Sequence, residues 1–71
     1  MSKLAKGDMV EFSGYLEKKI DEFRAKFVLD SHRKTGIIVE CNSTTVVILS
    51  EDELFKIDTV NPMTLINKLN S

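Results

Sequence analysis

The hydrophobic period of this chain changes along its length. In "KGDMVEF" (6–12) a Gly-Asp turn leads into alternation, with Val10 and Phe12 on one face and Met9 and Glu11 on the other. That pattern predicts a short strand, broken at Ser13-Gly14. In "YLEKKIDEFRAKFVL" (15–29) the apolar residues Leu16, Ile20, Phe23 and Phe27 fall at spacings of four, three and four. Those spacings put them on one stripe and predict a helix over 16–26. Lys18, Lys19, Asp21, Glu22 and Lys26 lie off the stripe, and Glu22 and Lys26 form a supportive i,i+4 pair. The competing reading starts a strand within "AKFVLDS" (25–31).

Further on, "GIIVECNSTTVVILS" (36–50) predicts a β-hairpin over 37–49. Its β-branched runs suit a pleated, buried surface, and Asn42-Ser43-Thr44 supplies the turn. Ile37, Val39 and Cys41 share one face if the first run is extended. Apolar residues on both faces predict a central hairpin covered on two sides. Gly36 precedes it, where a bulge or barrel corner calls for a residue without Cβ. "SEDE" (50–53) is a polar turn, and "LFKIDTV" (54–60) alternates as another strand. Asn61 can cap a helix with Pro62 in its first position, so "MTLINKL" (63–69) predicts a short C-terminal helix. A 3₁₀ turn followed by a last strand is the alternative there.

Composition narrows the chemistry. Seventy-one residues predict one small domain over 1–71. Cys41 is the only cysteine and His32 the only histidine. Neither a disulfide framework nor a Cys/His metal cluster can staple so short a chain, and no cofactor is expected. The longest apolar run, Val46 to Leu49, cannot span a membrane. "MSKLAKGD" lacks the apolar centre of a signal peptide, which points to the cytoplasm. "NST" at 42–44 matches a glycosylation sequon and is read as a turn. Net charge is −1, divided unevenly: residues 1–36 carry eight Lys or Arg against six Asp or Glu, residues 37–71 two against five.

The chain is expected not to be an enzyme. Asp30-Ser31-His32 has the residue types of a hydrolytic triad, but three consecutive residues rarely achieve its spatial arrangement. His32 reads as a solvated loop residue. Cys41, in an apolar strand without a neighbouring cation, reads as a small buried hydrophobe. Glu51, Asp52 and Glu53 lack the spacing of a calcium loop and read as a solvated turn. No Walker loop, GxGxxG or HExxH is present.

The "KGDMVEF" strand, followed later by "KTGIIVECNSTTVVIL", resembles small SH3-like barrels, including KOW-type modules, over about 6–12 and 36–58. The resemblance implies a small SH3-like barrel, here mainly β with an inserted helix and a short C-terminal helix or 3₁₀ turn. In such barrels the connection after the first strand is a loop, often a binding loop. A helix there would plug the barrel or form its interaction surface. The expected function is a macromolecule-binding module, first of all a protein-interaction adaptor or regulator. The alternative is a nucleic-acid-binding small barrel using the basic segment 18–34, with Tyr15 and Phe27 close by as stacking aromatics. The candidate binding residues are Lys18, Lys19, Arg24, Lys26, His32, Arg33 and Lys34. Asp21, Glu22 and Asp30 dilute that set, and the pI of about 5.7 is acidic for a nucleic-acid binder. The Leu16/Ile20/Phe23/Phe27 stripe is read as core packing, or as a face buried in a homodimer.

Overall fold

The computed structural model describes residues 4–69. Five strands follow in order: β1 (Met9–Lys19), β2 (Ala25–Cys41), β3 (Thr45–Ser50), β4 (Glu53–Asp58) and β5 (Thr64–Lys68). All pairings are antiparallel. β2, β3 and β4 form a meander, and β1 pairs with both β2 and β4, closing a four-stranded barrel. β5 adds to the first half of β1, with Val10 opposite Lys68 and Gly14 opposite Thr64. This architecture is compatible with an SH3-like barrel.

The alternation read from the sequence fills the barrel. Val10, Phe12, Leu16, Ile38, Val46, Ile48, Phe55 and Ile57 are each no more than 2% exposed. Phe12 and Phe55 meet with ring centroids 5.5 Å apart and planes tilted by 54°, a favourable aromatic arrangement. The expected strand at 6–12 does not end at Ser13-Gly14 but bends there. Gly14 has φ +99°, and Tyr15 N–H donates to the Met63 carbonyl (3.3 Å) where β5 begins.

Two expected elements are corrected. No helix, α or 3₁₀, occurs among the described residues. Residues 15–29 form an antiparallel arm instead, with Leu16 opposite Val28, Glu17 opposite Phe27 and Lys18 opposite Lys26. Of the helical stripe only Leu16 is buried, while Ile20 is 52%, Phe27 59% and Phe23 90% exposed. Asp21 turns the arm. Its Oδ1 accepts the Phe23 and Arg24 N–H groups at 2.9 Å each, and its Oδ2 accepts Arg24 Nε at 2.8 Å. An Asp carboxylate offers the backbone this turn in place of helix hydrogen bonds. Pairing of Glu17 with Lys56 then ties the arm into the sheet, a tertiary gain that outweighs local periodicity.

The C-terminal segment is likewise a strand. Asn61 Oδ1 accepts the Met63 N–H (2.9 Å) as a helix cap would. The Asn61 carbonyl then takes the Thr64 N–H, closing a turn. From Thr64 onward the chain meets the otherwise unpaired edge of β1, whose backbone groups β5 satisfies.

The hairpin at 37–49 is present, but only one side of it is covered. Ile38 pairs with the buried Ile48 and faces the core, Ile37 pairs with the exposed Leu49, and a bulge between Ile38 and Glu40 then shifts the β2 register. Met9, Ile37, Leu49 and Leu54 sit opposite one another across four strands on the outer surface, all exposed. Cys41 is exposed at the rim, not buried, with its thiol 3.3 Å from the Leu4 carbonyl.

The β3–β4 turn places Glu51 (φ 52°) and Asp52 (φ 64°) in left-handed geometry. Those angles suit an Asn-Gly pair far better than Glu-Asp. The double substitution Glu51→Asn with Asp52→Gly is therefore expected to stabilise the fold by about 1 kcal/mol. A rise of roughly 4–8 °C in the unfolding temperature checks it. An unchanged midpoint would argue against strain at this turn.

Candidate interaction surface

The seven candidate residues do not converge on one patch. Four are neutralised by carboxylates. Lys18 pairs with Glu53, Arg24 with Asp21 (2.7 Å), Arg33 with Glu11 (3.2 Å) and Lys34 with Asp30 (3.4 Å). His32 projects into solvent with Nδ1 3.7 Å from Asp30. Lys19 and Lys26 form no ion pair among the described residues.

Asp30, Ser31 and His32 form part of a bulge, not a triad. Phe12 pairs with Lys34 and Gly14 with Asp30, so Ser31, His32 and Arg33 together oppose the single residue Ser13. The Asp30 carboxylate holds the bulge, accepting the His32 N–H at 2.9 Å and lying beside Lys34. The His32 backbone bond, helped by Lys34, holds Asp30 below the usual carboxylate range. Asp21 is lowered similarly, first by its bond to Arg24 and then by Phe23 N–H.

A carboxylate depressed in the folded state contributes stability that is present above its unfolded value, about 3.9. That contribution is lost as pH falls through the lower folded value. Acid titration of the unfolding midpoint should thus show a decline below about pH 4, shallower in Asp30→Asn. Parallel curves for the two proteins would contradict this role.

Aromatic and aliphatic side chains gather on the outer face of the arm. Tyr15 and Phe27 stack with centroids 5.2 Å apart and planes 5° from parallel. Leu29 lies opposite Tyr15 and is exposed. The stack borders a depression of about 340 Å³, lined also by Glu17, Lys56 and Asp58. Phe23 stands at the arm's tip.

The inner face of the arm differs. Lys18, Lys26 and Lys34 surround a pocket of about 200 Å³ at the barrel mouth, with Val28, Phe55, Asp30 and Glu53. Lys34 Nζ lies 5.7 Å from the centroid of the Phe55 ring, within cation–π reach.

Sequence reasoning placed Tyr15 and Phe27 near the basic segment but missed Leu29, Glu53 and Phe55. The alternation of Tyr15 and Glu17 with Leu16 and Lys18, and of Phe27 with Lys26 and Val28, around Asp21 was the available signal for the two faces. Among the described residues no His, Cys, Asp and Glu side chains group as metal ligands, and no helix is long and apolar enough to cross a membrane. No family model, curated protein or solved structure matches the chain.

Proposed function

We propose that this chain is a non-enzymatic protein-binding module, an adaptor or regulator acting in the cytoplasm, that docks its partner on the β1–β2 arm. The observation that supports this is the Tyr15–Phe27 stack left at the surface beside Leu29. Large aromatic surface exposed on a projecting element is costly to keep in water and is typical of interaction sites. The likeness to KOW-type modules belongs to the same proposal, since the connection that forms a binding loop in such barrels is the arm here.

The rival reading, nucleic-acid binding through residues 18–34, needs cations free to displace counterions. Four of the seven candidate residues are already paired with carboxylates.

Affinity capture from a host lysate tests the choice, with and without nuclease, using the native chain, Phe27→Asp and Phe23→Asp. Both rings are exposed, so both variants should fold with near-native circular dichroism. The expected result is a protein partner captured despite nuclease and lost with Phe27→Asp. Capture abolished by nuclease, with binding falling steeply as salt rises, would overturn the proposal.

A further inference from the structure

Lys18 and Lys26 face each other directly across the β1–β2 ladder. Like charges in that position destabilise a sheet. Lys34 lies at the same barrel mouth, so three lysines share the small pocket there. Glu53 answers Lys18 and Asp30 answers Lys34, which leaves the mouth one negative charge short, at Lys26. Its wall is apolar, formed by Val28 and the Phe55 ring.

The pocket opens into a larger cleft of about 770 Å³ between the arm's tip and the β3–β4 turn. The two share Lys18, Lys26 and Glu53. Ile20 and Leu54 give that cleft apolar footholds, and Lys19, Asp21, Glu22 and Asp52 line it as well, so its four carboxylates outnumber its three lysines. A phosphate backbone entering along it would meet a row of carboxylates. An extended peptide carrying one acidic residue between apolar ones would bring only a single negative charge past them.

We propose that the barrel mouth binds the carboxylate of an Asp or Glu side chain in an extended segment of a protein partner. The carboxylate accepts hydrogen bonds from Lys26, with Lys18 and Lys34 contributing positive potential. A neighbouring apolar side chain of the segment packs on Val28 and Phe55. This deepens the protein-binding reading and rests on it.

The test is a ¹H–¹⁵N NMR titration of the full chain with three probes: acetyl-Ala-Leu-Glu-Leu-Ala-amide, its Gln counterpart and a short oligothymidylate. The Glu peptide should shift the amides of Lys18, Lys26, Val28 and Phe55. The Gln peptide should bind about tenfold more weakly, as loss of a charged hydrogen-bond partner requires. Lys26→Thr should weaken the Glu peptide by a similar factor. It should also raise the unfolding temperature by about 2 °C or more, because it removes the opposed charges.

Equal binding of the two peptides, absence of shifts at the mouth, or stronger shifts with the oligonucleotide would overturn the proposal. So would a lower unfolding temperature in Lys26→Thr, which would make the lysine structural. Phe27-dependent capture of a partner that persists in Lys26→Thr would overturn this site alone and leave the protein-binding reading standing.

Discussion

Gly14→Ala is expected to destabilise the protein by about 3 kcal/mol or more. Two costs combine at this position. The backbone has φ +99°, which side chains with a Cβ rarely adopt. A Cβ built there would also lie 2.1 Å from the Met63 carbonyl oxygen and 3.0 Å from Thr64 Cα. Both are backbone atoms of the segment that leads into β5, so β5 must move off β1. Stability of roughly 0.05–0.15 kcal/mol per residue gives a chain of this length little to lose. Gly7 provides the control. Its φ is +94°, but a Cβ there would meet nothing within 4 Å. Gly7→Ala should carry the backbone cost alone, about 1–2 kcal/mol. Urea unfolding followed by circular dichroism compares the two, and equal losses would mean that β5 does not pass beside Gly14.

The second large effect distinguishes an arm from a helix. Leu16→Ala should cost about 2–5 kcal/mol, since it empties a fully buried position. Phe23→Ala should change stability by no more than about 0.5 kcal/mol, because the ring is 90% exposed. A helix packing the Leu16/Ile20/Phe23/Phe27 stripe would make both substitutions expensive. Comparable losses at the two positions in thermal unfolding would therefore sink the hairpin arrangement of residues 15–29.

Long-range pairing decided most of what the residue pattern left ambiguous. Val10 and Phe12, Val46 and Ile48, and Phe55 and Ile57 could be assigned to one face each, because strand alternation is a local property. Leu16, Ile20, Phe23 and Phe27 also satisfied a local rule, that of the helix. Nothing between Tyr15 and Leu29 reveals that Glu17 finds Lys56 across the sheet. Asn61 behaves locally as a helix cap would, and only the open edge of β1 draws the following residues into a strand. The β2 bulges are equally illegible, since one inserted residue changes which side chains beyond it face inward.

The candidate site divides in the same way. Composition alone excluded disulfides and a Cys/His metal cluster, since one cysteine and one histidine cannot build either. Alternation alone specified a small, mainly β core. Which basic side chains would be free depended on carboxylates far off in the chain, Glu11 for Arg33 and Glu53 for Lys18. A basic run in the sequence thus became a set of ion pairs in space. What residues 32–51 carry was local for the hairpin, whose β-branched runs and Asn turn suffice to form it. It was tertiary for His32 to Lys34. There barrel closure bulges the strand, Asp30 ties the bulge down, and Lys34 is turned over Phe55 at the mouth.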